Sequence, residues 1–129
     1  MRYADPPVDV KLPPTLEAPV WAREWVGEAL ESVSQDRRDA ARLLVSELVT
    51  SSVRDADLDP QGSIVIRVDL SRDRVRVEVV DPGETFNPPV RRGAEPGAGG
   101  GLVLLDRIAD RWGVRSDGVP AVWFDLDLT

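Results

Sequence analysis

The sequence contains no cysteine and no histidine. Without cysteine there is no disulfide framework and no thiol chemistry, so a reducing cytoplasm is the expected location. Without histidine, the commonest metal ligand and the commonest general base are both missing. Zinc sites and Ser-His-Asp hydrolysis are therefore excluded, and any acid–base work must fall to carboxylates.

The chain also lacks long apolar runs and any excess of positive charge. No segment approaches the roughly 20 apolar residues that span a bilayer, and residues 1–7 hold no apolar segment that could serve as a signal peptide. The formal net charge of -7 disfavours nucleic acid as a partner, because phosphate backbones would repel the chain. The 129 residues, 42% hydrophobic and 30% charged, indicate one soluble globular domain covering 1–129, with neither nucleic-acid nor membrane partners.

Hydrophobic periodicity predicts three helices and five strands. The helices are expected from Thr15, as N-cap, to about Val33, from Asp36 to about Ala56, and from about Leu102 to Asp110. The strands are expected at 8–12, 64–70, 74–79, 112–116 and 119–128, the second and third pairing as a hairpin. This order indicates a two-layer α+β sandwich with helices on one face of a mixed or antiparallel sheet. The aperiodic segment 82–101 is typical of a lid or binding loop.

Two carboxylates occupy positions that ordinary packing does not favour. Glu47 lies in an otherwise apolar stripe of the second helix, which includes Leu43, Leu44 and Leu48. Ser51 and Asp55 follow on the same side at i+4 and i+8. Asp81 points toward the core by strand parity, at the end of a strand. A buried carboxylate is costly unless it is paired or functional. The alternatives are a solvated Glu47 at the edge of the stripe and an Asp81 that caps its own turn.

A glycine-rich run, GAGGG at 97–101, directly precedes the third predicted helix. Its backbone N–H groups could bind phosphate, helped by the helix dipole. The run matches neither the dinucleotide-binding fingerprint nor the P-loop. A flexible linker is the alternative interpretation.

Three segments together resemble the GHKL ATPases, the superfamily of histidine kinases, gyrase and mismatch-repair ATPases. Residues 41–56, ARLLVSELVTSSVRDA, resemble the N-box helix. Residues 77–83, VEVVDPG, resemble the first glycine box, and residues 99–113, GGGLVLLDRIADRWG, resemble the second. The second box has the short form typical of actinobacterial anti-sigma-factor serine/threonine kinases. The resemblance extends from about residue 8 to residue 128.

The resemblance implies a specific nucleotide site for ATP and Mg²⁺. Glu47 would be the general base, and position 51 would present an asparagine to the Mg²⁺ ion. Asp81 would accept a hydrogen bond from the adenine amino group, while Gly83 would let the backbone come close. The other nucleotide-binding positions that the resemblance marks are Asp55, Thr85, Gly99, Gly100, Gly101, Leu102 and Ala121. The acceptor would be a serine or threonine of an antagonist (anti-anti-sigma) protein. The domain would also sequester a sigma factor, and homodimers are common in the family.

Four positions depart from the family pattern. Ser51 replaces the asparagine with a shorter hydroxyl, although Mg²⁺ prefers near-ideal octahedral oxygen geometry. Thr85 replaces a glycine, which hinders close backbone approach. Ala121 replaces a threonine and removes one hydroxyl partner of adenine, and Asp55 stands where a histidine is frequent. Two functions therefore stay open: an ATP-dependent protein kinase, or a non-catalytic module of the same fold that acts by docking a partner. An isolated histidine-kinase domain is disfavoured, because the lid is short and the chain has no histidine.

Overall fold

The structure, a computed structural model, describes residues 7–55, 62–80, 100–115 and 121–128. Eight regular elements lie in these parts, in the predicted order. The helices are α1 (Ala18–Ala29), α2 (Gln35–Asp55) and α3 (Gly100–Ile108). The strands are β1 (Val8–Leu12), β2 (Ile64–Leu70), β3 (Arg74–Val80), β4 (Arg111–Arg115) and β5 (Ala121–Asp127).

The strands form one sheet in the order β1-β2-β3-β5-β4. Every pairing among these strands is antiparallel, so of the two predicted sheet types the antiparallel one is confirmed. The β2–β3 hairpin is confirmed as well, and the Ser71 N–H closes its turn on the Arg74 carbonyl at 2.9 Å. The last strand, β5, does not stay at the edge, because it inserts between β3 and β4.

The core lies between the sheet and the helices. Alternate residues of the three inner strands point toward the helices and are buried, as the period-two pattern predicts. These residues are Ile64, Ile66, Val68, Val75, Val77, Val79, Val122, Phe124 and Leu126. Helix α1 covers β1 and β2, α2 covers β3 and β5, and α2 also packs against both α1 and α3. The predicted two-layer α+β sandwich is therefore confirmed.

The predicted start and end of the first helix were wrong. The N-cap residue is Glu17, and no side chain caps the helix. Thr15 instead accepts a bond at its carbonyl from the Ala18 N–H, at 3.0 Å. Proline within the first turn sets the start, because its fixed φ suits the first helical positions. The helix ends at Ala29 rather than Val33, because the chain must turn there to lay α2 against α1.

Two further expectations needed correction. Leu43 was placed in the apolar stripe of α2 but is 44% exposed, because the buried face is centred one position further round the helix. Helix α3 begins at Gly100 rather than Leu102. Two of the glycines expected in the loop therefore form its first turn.

The sheet face opposite the helices carries a cluster of arginines around one buried carboxylate. The Asp125 side chain is only 1% exposed. It accepts hydrogen bonds from Arg76 Nε at 2.7 Å and Arg76 Nη2 at 2.9 Å, and longer ones from Arg111 and Arg74. Burial alone would raise the pKa of the Asp125 carboxyl, but the hydrogen bond and charge of Arg76, together with Arg111 and Arg74, lower this pKa below its ordinary value.

Trp123 packs beside this cluster on the same face. The Arg76 guanidinium lies over the indole ring, 4.2 Å from its centroid, an arrangement that favours a cation–π contact. On the neighbouring strand, a Cβ at Gly113 would come within 2.9 Å of the indole, so the absence of a side chain there makes room for the ring. Together these contacts join β3, β5 and β4 on the face that the helices do not cover.

We predict that Asp125→Asn lowers the free energy of unfolding by about 2 kcal/mol at pH 7, because the charge-assisted bonds from Arg76 are lost. A carboxyl whose folded pKa is lowered stabilises fully above its unfolded pKa of about 3.9 and loses that contribution as the pH falls through the folded value. Urea unfolding of both proteins from pH 7 downward should therefore show the difference shrinking in acid. The control is Asp9→Asn, whose exposed partner Arg67 lies at 3.5 Å and whose loss should cost well under about 1 kcal/mol. A difference that stays constant into strong acid would contradict the prediction.

Candidate functional site

The side of α2 that carries Glu47 and Ser51 is oriented by the buried face of the same helix. Leu44, Val45 and Val49 are fully buried against the core, so the helix cannot rotate without exposing them. This packing leaves Glu47 half-buried and Ser51 only 6% exposed. Apart from the exposed Leu43 the predicted stripe is buried, and Glu47 lies at its partly solvated margin.

One end of the sheet holds the predicted nucleotide-binding position Ala121. The last residue of β3, Val80, pairs with the first residue of β5, Ala121, and β2 enters the same end because Val65 also pairs with Val80. Ala121 is fully buried, and Asp81 is the next residue after Val80. Helix α2 packs on β3, on β5 and on α3, and we call the region between the two helices the α2–α3 cleft.

Helix α3 contributes its N-terminus to the predicted site. Gly100 and Gly101 form its first turn, and Leu102 follows directly. The first backbone N–H groups of a helix have no partner within it and are directed toward a ligand at that end. An anion such as a nucleotide phosphate fits these donors, and the absence of side chains at the two glycines permits close approach.

Several predicted residues cannot be compared with the structure. Asp81, Gly83, Thr85 and Gly99 lie outside the described residues, as does nearly all of the expected lid. Asp55 is the last residue of α2, and only its backbone position is described. Their roles at the nucleotide stay predictions.

The described donor set does not fit a magnesium ion at position 51. Mg²⁺ requires oxygen ligands at about 2.1 Å in octahedral geometry, whereas the Ser51 hydroxyl is short and nearly buried. Within the described ranges, no group of three acidic, histidine or cysteine residues could hold a metal ion. The structure therefore gives Ser51 no support as a direct ligand of the metal.

Ser52 was overlooked in the sequence and differs from its neighbour. It is 2% exposed, and its hydroxyl has no hydrogen-bond partner among the described residues. Thr50, two residues earlier, shows the usual solution, because its hydroxyl donates to the Ser46 carbonyl at 2.7 Å. The spacing could have revealed Ser52, since it follows Leu48 by four residues on the buried face.

We predict that Ser52→Ala raises the free energy of unfolding by about 1 kcal/mol, because a buried hydroxyl without a partner is replaced by an apolar group of similar size. Chemical denaturation of the two proteins measures the difference. Thr50→Ala is the matched control, because it removes a hydroxyl that is bonded and should bring no gain. A destabilised Ser52→Ala would show that the hydroxyl is satisfied in solution.

The chain resembles known proteins both in sequence and in fold. Residues 12–124 match the family model of the histidine kinase-like ATPase domain, a range that contains α2, the glycine-rich segments and α3. No curated protein sequence matches the chain. Among the described residues, no helix combines the length and the apolar character that crossing a membrane requires.

The fold is similar to that of a solved structure, the crystal structure of the RsbU and RsbW domains of Rv1364c from Mycobacterium tuberculosis. The two chains superpose with a TM-score of 0.71 at 20% sequence identity. The match covers 96% of this chain and 32% of that chain, so the present chain spans about a third of its length. At this identity the likeness supports the shared fold.

Proposed function

The chain belongs to the histidine kinase-like ATPase domain family, and on that basis we propose that it binds ATP in the α2–α3 cleft and acts as an anti-sigma-factor-like serine/threonine kinase. The observation that carries the proposal is the packing of α2 against β3, β5 and α3. In this proposal the Glu47–Ser51 side of α2 would face the N-terminal turn of α3. All of these elements lie within the matched range of the family.

In this proposal two parts of the domain hold the nucleotide. Its phosphates would bind the N–H groups at the start of α3, where Gly100 and Gly101 leave the backbone accessible. Its adenine would lie at the Val80–Ala121 end of the sheet, where Asp81 follows directly. The nucleotide supplies the phosphoryl group for transfer, and the protein supplies position and charge.

Glu47 is the group proposed to move a proton. The residue is only half-buried, and the chain contains no histidine that could serve instead. Glu47 would accept the proton of a serine or threonine hydroxyl on the partner protein as that oxygen attacks. The proposed partners are a sigma factor and its antagonist protein, in keeping with the RsbW domain of the structural neighbour.

A second candidate function is a non-catalytic module of the same fold that only docks a partner. The specific observation in its favour is the burial of Ser51 together with that of Ala121. One offers a shielded hydroxyl and the other a methyl group, where the family pattern implies an amide and a hydroxyl. Fewer polar contacts at these two positions would weaken the hold on a nucleotide.

We predict that Glu47→Gln leaves ATP affinity nearly unchanged but abolishes phosphoryl transfer, because the substitution removes the base and keeps the size of the side chain. Calorimetric titration with ATP measures the affinity, and incubation of the two proteins with radiolabelled ATP and an antagonist protein measures transfer. Equal transfer by both proteins would remove Glu47 from its proposed role. No ATP binding by the wild-type chain would favour the docking module.

We predict that Ser51→Asn tightens ATP binding about ten- to hundred-fold in the presence of Mg²⁺ and leaves it unchanged without the metal. The amide oxygen reaches further from the helix axis and is a good hard ligand. A recovered contact to a charged group is worth about 1–3 kcal/mol, which corresponds to that range of affinity.

The matched control is Ser46→Asn, the same exchange earlier on the same helix. Titrations of both variants with and without magnesium make the comparison. If the wild type already binds tightly and Ser51→Asn changes nothing, the serine is an adequate substitute. If the gain appears without Mg²⁺, the amide acts on the nucleotide itself and the stated reason is wrong.

A further inference from the structure

Helix α1 and the turn before it display large apolar side chains to solvent. Leu16 is 84% exposed, Val20 45% and Trp21 41%. Half of the six large hydrophobic residues that are exposed in the described parts of the chain fall within this six-residue segment. Such clustering, unlike isolated exposed leucines, is characteristic of an interaction site.

A row of carboxylates continues from the same helix. Glu24 and Glu28 lie about one turn apart, on the side next to Trp21, and Glu31 follows in the turn after the helix and lines the same groove. We call the six side chains together the α1 outer surface: Leu16, Val20, Trp21, Glu24, Glu28 and Glu31. It combines an apolar end with an acidic end.

These carboxylates have no cationic partner in the described structure, although two arginines lie nearby. Arg38 and Arg42 of α2 line the same open groove, of about 470 Å³, as the three glutamates. Arg38 donates to the backbone carbonyl of Glu31 at 3.1 Å, and Arg42 lies 3.7 Å from Asp39. Neither guanidinium group pairs with a glutamate carboxylate, and the three glutamates outnumber the two arginines that line the groove with them.

The stability of the domain does not account for this arrangement. Glu24 and Glu28 are one turn apart and repel each other. Glu28 also lies near the C-terminal end of α1, where the helix dipole disfavours negative charge. The parts of Leu16, Val20 and Trp21 that stay in water gain nothing from folding. Positions that are unfavourable for the isolated chain call for an interaction that the isolated chain does not make.

We propose that the α1 outer surface docks a basic amphipathic segment of a partner protein. Apolar side chains of that segment would cover Leu16, Val20 and Trp21, and its lysine or arginine side chains would reach the glutamates. Such a pairing buries apolar area and brings together charges of opposite sign.

Charge decides among the possible occupants of this surface. A second copy of the chain would place glutamates against glutamates, and the net charge of -7 adds a general repulsion. Nucleic acid and anionic membranes are repelled for the same reason. The surface is also separate from the α2–α3 cleft, since α2 packs between α1 and α3. The proposal therefore does not depend on nucleotide binding.

The test titrates the full chain calorimetrically with a synthetic 18-residue helical peptide that has leucines on one face and lysines on the other. A second peptide carries glutamate in place of every lysine. We expect that the lysine peptide binds saturably and the glutamate peptide does not. Added salt should weaken the binding of the lysine peptide. Adding ATP should not change it, so failure here and failure of the proposed kinase function are distinguishable.

Two pairs of variants locate the binding. Glu24→Gln/Glu28→Gln should weaken the lysine peptide at least tenfold, whereas Asp9→Asn/Asp69→Asn, which removes two charges from β1 and β2, should change its affinity less than twofold. Trp21→Ala should weaken it at least fivefold, while Leu43→Ala, a comparably exposed residue of α2, should not. The glutamine variants should also unfold at an equal or higher temperature than wild type, which separates lost binding from lost folding.

Three results would overturn the proposal. The first is the absence of saturable binding to the lysine peptide. The second is equal weakening by the two charge-removing double variants, which would show a response to overall charge rather than to this surface. The third is an unchanged affinity of Trp21→Ala, which would leave the apolar end without a role.

Discussion

The candidate site depends on one constraint, namely that packing fixes the orientation of α2 about its own axis. A helix that buries one side against a sheet has little freedom to turn, because any rotation exposes apolar area at about 25 cal/mol per Å². In this domain the fully buried Leu44, Val45 and Val49 supply that constraint. Glu47 and Ser51 are held at the margin of the same face as a consequence. The chemistry proposed for Glu47 thus rests on aliphatic side chains that never touch a ligand.

The strand β5 applies a similar constraint to the sheet from both of its faces. Phe124 is buried under the helices, while Asp125 is buried on the other face among arginines. Neighbouring residues of β5 therefore fix the strand on both faces, Phe124 by apolar packing and Asp125 by ion pairs with arginines. Because β5 also begins at Ala121, opposite Val80, this double anchoring fixes the end of the sheet at which we propose that adenine binds.

The two proposed activities, nucleotide binding and partner docking, lie in two different regions of the molecule. The cleft side, with α3 and the glycine-rich turn, offers donors for an anion. The α1 side offers carboxylates and exposed apolar groups, which suit a basic protein segment and repel a nucleotide. Helix α2 contacts both neighbouring helices. A partner on α1 and a nucleotide near α3 would thus bind the two sides of one rigid helix without competing.

Local patterns in the sequence were sufficient for much of this description. Period-two alternation located β2 and β3, helical spacing located α2, and the spacing of Glu47 and Ser51 placed both on one side of it. The motifs between residues 41 and 113 pointed to the family, which the match over residues 12–124 confirms. These features depend on neighbours within a few residues, so they are visible without the fold.

The tertiary structure alone decided which distant residues meet. Nothing in the sequence indicated that β5 would lie between β3 and β4, or that Asp125 would pair with Arg76, 49 residues away. Thr15 was expected to cap α1, yet the path of the chain placed Glu17 there, and Leu43 was turned outward although its spacing suggested burial. Strand order and helix orientation follow from the total apolar area that the whole chain buries. This total apolar area depends on all helices and strands together, so no local sequence pattern can predict it.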